Sequence, residues 1–209
     1  MEFSIWLTFF AASWAISISP GPGAIAAMSA GLNHGFRYGY VTIIGLVLGI
    51  WSQLLIVGVG LGALISASST AFMVVKWLGV GYLVWLGIQQ WRAPAPPMVA
   101  LADSTELVTQ RQLILRAWMI NVVNPKGTVF LLAVVPQFMD LSQPLFPQYL
   151  VIGATLAFTD LVVMSGYTAL ASRVLGTLKE PSHIRAMNRV FGSLFVLAGS
   201  LLAFFKRAG

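Results

Sequence analysis

Long apolar stretches alternate with short polar connections along almost the whole chain. A helix needs about 20 apolar residues to cross the hydrocarbon core of a bilayer, and six segments of the 209-residue sequence reach or approach that length. They are residues 4–30, 39–65, 71–91, 115–135, 147–171 and 188–205. The pattern predicts an all-α membrane protein with six transmembrane helices.

The composition agrees with a lipid environment. Hydrophobic residues make up 58% of the chain and charged residues only 9%, whereas soluble domains have roughly 25% charged residues. One soluble core of this size could not cover so much apolar surface. The N-terminal MEFSIW lacks the positively charged region of a secretory signal, which favours a retained first span.

Cysteine is absent and the two histidines lie far apart in sequence, so we expect neither a disulfide nor a metal site. No cofactor motif is present. The net charge of +6 does not indicate nucleic-acid binding, because most of the basic residues lie in a few loops rather than in a patch with exposed aromatics.

Most of the basic residues lie in alternate connections. Cytoplasmic loops of membrane proteins carry an excess of Lys and Arg. Eight basic residues lie in or beside the first, third and fifth connections: Arg37; Arg92, Arg111 and Arg116; and Arg173, Lys179, Arg185 and Arg189. Three basic residues do not follow this distribution: Lys76, Lys206 and Arg207. The distribution predicts that the three basic connections are cytoplasmic and that both termini lie outside.

The six spans divide into two halves whose features recur in the same order. The recurring features are a proline interruption in the first and fourth spans, the glycine pairs Gly45/Gly58 and Gly153/Gly166, and a basic residue three positions before Gly79 and Gly192. With three spans per half, the second half enters the membrane from the opposite side. We therefore predict one integral membrane domain with two inverted three-helix repeats, residues 1–91 and 115–209, joined by a cytoplasmic loop at 92–114.

Two spans contain residues that break helices. They are Ser19-Pro20-Gly21-Pro22-Gly23 in the first span and Asn124-Pro125-Lys126 in the fourth. Breaks at membrane depth are tolerated where the backbone is buried in protein or lines a polar cavity, and breaks at matching positions of inverted repeats indicate a transporter binding site. Free N–H groups at the start of a half-helix suit a carboxylate. Ser19 and Asn124 could cap these half-helices or bind a substrate directly. Simple kinks, satisfied by neighbouring helices, are the alternative.

Three further polar residues within the predicted spans are candidates for the binding site. Asp160 is the only carboxylate near the middle of a span, and a charge at that depth should face the interior of the bundle. It could hold an ammonium group, carry a proton, or form a fixed ion pair with Lys126. Lys126 could instead hold a substrate carboxylate. Gln53 is either a substrate contact or an interhelical hydrogen bond.

The sequence resembles the LysE/RhtB family of bacterial amino-acid exporters over nearly its whole length. The stretches that carry the resemblance are SPGPGAI (19–25), LNHGFRYG (32–39), KWLGVGYLVWLGIQQWR (76–92), NVVNPKGTVFL (121–131) and FGSLFVLAGSLLA (191–203). The resemblance implies a six-span exporter of the bacterial inner membrane, driven by the proton gradient, that removes small amino acids or their lactones from the cytoplasm. Relatives in this family export homoserine, threonine, leucine or lysine, so the substrate stays open.

Together these features lead to a transport hypothesis. A zwitterion would offer its carboxylate to a half-helix N-terminus and its ammonium group to Asp160, and a proton arriving from outside would neutralise Asp160 and release the amine. The partners would be the substrate, protons and the lipid bilayer. The glycine-rich faces of the second and third spans could serve internal packing or a homo-oligomer.

Two other classes of function are alternatives to transport. Ser19 and Lys126 could imitate the Ser–Lys pair of a membrane-embedded enzyme, but no other catalytic arrangement accompanies them, and we predict that the chain is not an enzyme. A passive channel would show a ring of like charges or a repeated filter sequence, and the sequence has neither.

Overall fold

The computed structural model describes residues 2–67, 69–92, 108–140 and 142–173, together with residues 189, 193, 196, 197 and 200. Within these ranges the fold is entirely helical. The helices are α1 Phe3–Ile18, α2 Pro22–His34, α3 Phe36–Ala67, α4 Ser69–Arg92, α5 Gln110–Val122, α6 Pro125–Val134 and α7 Leu145–Arg173, with a 3-10 turn at Val135–Gln137. Most of the sixth predicted span (188–205) and of the loop at 92–114 lies outside the described residues.

Two helices are long and apolar enough to cross a bilayer on their own, with spans at Phe36–Gly60 in α3 and Leu145–Ser172 in α7. Two further candidate spans are bent pairs: α1 with α2, at 56°, and α5 with the helical segment that starts at Pro125, at 51°. The described residues thus contain two candidate membrane spans, or four if each bent pair counts as one. The fourth predicted span begins earlier than expected, at Gln110, because Thr109 and Gln112 form a capping box there.

Both predicted helix breaks are present. Helix α1 ends at Ile18 and α2 begins at Pro22, while α5 ends at Val122 and α6 begins at Pro125. In each pair a proline is the first helical residue, where its missing N–H removes no intrahelical bond and its fixed φ suits the helix start. The breaks are therefore built into the sequence rather than imposed by packing.

Helix α3 packs against α2, α5 and α7 and lies at the centre of the described bundle. Its glycines allow the close approach of α5. A Cβ built on Gly49 would lie 2.5 Å from the Cβ of Asn121 and 3.2 Å from the carbonyl oxygen of Trp118. Small residues at helix contacts are typical of membrane proteins, because association there depends on close packing.

The buried apolar side chains form two clusters. One surrounds Phe9, Phe130 and Ile152, and the other surrounds Ala27 and Leu46. Between the two clusters the packing is interrupted by polar side chains and by the two helix breaks, and this is where the cavity described next is found.

Candidate functional site: a polar cavity at two helix breaks

A cavity of about 80 Å³ lies where the two helix breaks approach each other. Its wall comes from α1, α2, α3, α5, α6 and α7. Polar and glycine positions on the wall are Ser17, Ser19, Gly21, Gly23, Gln53, Asn121, Asn124, Lys126, Gly127 and Asp160. Pockets for drug-sized ligands have volumes of roughly 300–1,000 Å³, so this cavity suits a much smaller ligand.

Seven of the ten residues singled out from the sequence line this one cavity: Ser19, Gly21, Gly23, Gln53, Asn124, Lys126 and Asp160. The three prolines, Pro20, Pro22 and Pro125, do not line it. Pro22 and Pro125 are exposed on the outer surface of the described residues. The prolines therefore shape the breaks, while the residues beside them face the cavity.

The ammonium group of Lys126 lies at the C-terminal end of α1. Its Nζ donates to the carbonyl oxygen of Ser19 at 2.5 Å and to that of Ile16 at 3.2 Å. The last carbonyls of a helix have no partner inside it and form the negative end of its dipole. The ammonium group of Lys126, on α6, thus satisfies carbonyl oxygens that the break between α1 and α2 leaves without partners in a helix.

Asp160 lies near the middle of α7 and lines the same cavity. The hydroxyl of Ser17 donates to its carboxylate, and the charge of Lys126 attracts it. Ser17 also lies 3.1 Å from the hydroxyl oxygen of Thr159. Both ionisable side chains expected at depth are therefore close enough to act on one ligand.

The break between α5 and α6 is closed by side chains. Oδ1 of Asn124 accepts the backbone N–H of Lys126 at 3.1 Å, so Asn124 caps α6, which is one of the two roles that the sequence leaves open. Nε2 of Gln53 donates to the carbonyl oxygen of Asn124 at 3.0 Å and to Oγ1 of Thr128 at 2.9 Å. Gln53 makes the interhelical hydrogen bonds that the sequence left as one of two options.

The break between α1 and α2 is different. Gly21 is the N-cap of α2, and no described side chain caps that helix. Ser19 does not act as the cap, because it lies two residues before Gly21 and its Oγ makes no hydrogen bond to any described residue. That hydroxyl is nevertheless buried, with Ser19 only 2% exposed.

Sequence reasoning missed three residues of this region, one of which is Ser17, the donor to Asp160. The hydroxyl of Tyr167 donates to the carbonyl oxygen of Ile18, the last residue of α1, and Nδ2 of Asn121 donates to the carbonyl oxygen of Leu46 at 2.7 Å. Tyr167 lies seven residues after Asp160, which places both on one face of a helix. That spacing was a usable signal, whereas nothing local marks the partner of Asn121.

The comparisons with known proteins agree with this architecture. The profile of the LysE type translocator family matches residues 14–205. The homoserine/homoserine lactone efflux protein of Salmonella typhimurium is 44% identical over 208 residues, which cover 100% of both chains. A membrane protein of Vibrio cholerae serotype O1 is 43% identical over 97% of this chain and 98% of its own. The leucine efflux protein of Enterobacter sp. is 27% identical over 94% of this chain and 93% of its own.

The candidate spans and the family match together define a helical membrane protein of the translocator class. The chain belongs to the LysE type translocator family, which confirms the resemblance found in the sequence and the prediction of a transporter rather than an enzyme. No solved structure matches it.

Proposed function

We propose that this protein exports small amino acids or their derivatives from the cytoplasm, with homoserine and homoserine lactone as the first substrates to test and threonine as the next. The observation that carries the proposal is a small cavity at two helix breaks, lined by one carboxylate and one ammonium group. The full-length 44% identity to a homoserine/homoserine lactone efflux protein supports the choice of substrates.

The proposed site matches the chemistry of a zwitterion. Asp160 would receive the substrate ammonium group, and helix-terminal N–H donors together with Lys126 would receive the carboxylate. The residues proposed to bind or frame the substrate are Ser19, Pro20, Gly21, Pro22, Gly23, Gln53, Asn124, Pro125, Lys126 and Asp160. The lactone, which lacks a free carboxylate, would use only part of this site.

The proposed mechanism is alternating access between two inverted three-helix repeats, in a six-span protein of the bacterial inner membrane with both termini outside. Asp160 would exchange a substrate ammonium group for a proton, which couples efflux to the proton gradient. Two features support this proposal: Asp160 is the one carboxylate among the described cavity residues, and Ser17 and Lys126 hold it in place.

The test uses purified protein in vesicles with a substrate concentration gradient and an imposed pH gradient. Wild-type protein should move homoserine faster when the pH gradient drives antiport. Asp160→Asn should lose the dependence on the pH gradient while its insertion and protein level stay normal. Unchanged gradient-driven transport by Asp160→Asn would remove Asp160 from proton coupling, and a wild-type protein that moves none of homoserine, its lactone and threonine would refute the proposed function.

A further inference from the structure

The two helix breaks present their N-terminal donors differently. Asn124 is the N-cap of α6, and its side chain already accepts the N–H of Lys126. Helix α2 starts at Pro22, which has no N–H, so Gly23 and Ala24 carry its first donors, and no described side chain caps them. Gly23 and Ala24 both line the cavity. The first break therefore offers the uncapped N–H groups of Gly23 and Ala24 to a ligand, whereas at the second break Asn124 already accepts the first N–H of α6, that of Lys126.

The hydroxyl of Ser19 is a second and independent sign of a ligand at this break. It lines the same cavity, its residue is 2% exposed, and its Oγ has no hydrogen-bond partner among the described residues. Buried hydroxyls in folded proteins are nearly always hydrogen-bonded. A group that accepts a hydrogen bond in the cavity would satisfy it.

Positive charge lies beside these donors. The Nζ of Lys126 is bonded to the carbonyl oxygen of Ser19 at 2.5 Å, and it lies 3.5 Å from the point that a Cβ on Gly21 would occupy. The helix dipole adds partial positive charge at the start of α2. Backbone donors, a hydroxyl and an ammonium group in one place select an anionic acceptor.

We propose that the start of α2, with the hydroxyl of Ser19, binds the carboxylate of the transported amino acid, and that the break at Asn124 is structural. The inference rests on the proposed function and adds the orientation of the bound substrate. The carboxylate lies at Gly23 and Ala24 and the ammonium group at Asp160. An amino acid then uses the full site, whereas its lactone has only an uncharged carbonyl to offer to α2.

The sharpest test gives α2 a cap of its own. Gly21 has φ −139° and ψ −170°, an extended conformation that any residue adopts, and a Cβ there would make only an ordinary contact with Cδ of Lys126 at 3.4 Å. In Gly21→Ser the new hydroxyl would accept the N–H groups that await the carboxylate. Gly21→Ala adds the same Cβ without the hydroxyl, so the comparison between the two isolates capping.

Efflux kinetics in vesicles, with homoserine and homoserine lactone as the two probes, give the readout. The ratio of the KM for homoserine to the KM for the lactone should be about tenfold higher in Gly21→Ser than in Gly21→Ala, the effect of losing charge-assisted hydrogen bonds. Gly60→Ala, on α3 where a Cβ meets nothing within 4 Å, should keep the wild-type ratio. Equal ratios in Gly21→Ser and Gly21→Ala would overturn the proposal.

Ser19→Ala is the second variant. The Ser19 hydroxyl makes no hydrogen bond to a described residue, so its removal should leave the folded protein intact. The substitution should raise the ratio of the KM for homoserine to the KM for the lactone about tenfold. A Ser19→Ala protein with the wild-type ratio would exclude the hydroxyl from the carboxylate site. If the wild type transports neither probe, the proposed function fails. If the wild type transports both probes and the KM ratios do not change in the variants, only this inference fails.

Discussion

Replacing Lys126 by methionine should destabilise the fold at the break between α1 and α2. Methionine keeps an unbranched side chain of similar length but has no donor, so the carbonyl oxygens of Ile16 and Ser19 lose the bonds they receive at 3.2 and 2.5 Å. The substitution also leaves Asp160 without the positive charge that attracts it. Both effects act in a partly buried site, where water screens them less than at the surface.

The size of the effect follows from these contacts. A hydrogen bond to a charged group contributes about 1.5–3 kcal/mol, so two of them give roughly 3–6 kcal/mol. The cavity of about 80 Å³ has room for water, and water would satisfy part of what the ammonium group leaves. We expect a loss of about 3 kcal/mol, which for a chain of this length lowers the Tm by roughly 6–12 °C.

The assay is thermal unfolding of purified protein in one detergent, with wild type, Lys126→Met, Asp160→Asn and the double variant. Each single variant leaves one charge without its partner, so the double variant should lose less stability than the sum of the singles, by about 1 kcal/mol or more. A Lys126→Met protein with the wild-type Tm would refute the role of the ammonium group at the end of α1. A strictly additive cycle would refute the coupling of the two charges.

Three further predictions concern the surrounding contacts. Gln53→Leu removes the donor to the carbonyl oxygen of Asn124, which should cost about 1–2 kcal/mol, seen as a Tm lowered by a few degrees; an unchanged Tm would contradict it. Tyr167→Phe removes the donor to the last carbonyl of α1 and should lower the free energy of unfolding by about 1 kcal/mol. Thermal unfolding of the purified protein measures this loss, and the yield of purified protein shows that insertion is not blocked. Gly79→Val should destabilise strongly, because a Cβ there would lie 2.8 Å from a backbone Cα of α6; Gly81→Val, with nothing within 4 Å, is the matched control, and equal Tm values would contradict the packing.

The helix breaks and up to four of the six predicted spans could be predicted from the sequence, because they depend on local properties. Proline and glycine fix where a helix can continue, whatever packs around it, and this placed both breaks correctly. Asp160 could be assigned to the interior for a similar reason, since a charge at mid-membrane depth is too costly to face lipid. These conclusions needed no knowledge of how the helices are rotated.

The partners of the site residues depend on that rotation and could not be predicted. The charge of Lys126 attracts Asp160, one of the partners that the sequence suggests, but its hydrogen bonds to carbonyl oxygens of α1 follow from no local pattern. Ser19 and Asn124 were treated alike, although only Asn124 caps a helix. Which of two similar breaks is closed by its own side chains is decided by tertiary contacts, and a local motif does not contain them.

The contacts at the two breaks are reciprocal, and this has a consequence for transport. A side chain of α6, Lys126, bonds the backbone at the end of α1, while a side chain of α3, Gln53, bonds the backbone between α5 and α6. Each predicted half therefore satisfies the broken helix of the other. In the proposed mechanism, a movement of the halves that separates these groups would leave polar backbone groups without partners in a low-dielectric interior. In the proposed cycle, a zwitterionic substrate would replace these bonds, because it carries both a donor and an acceptor, and it would thereby lower the cost of the movement.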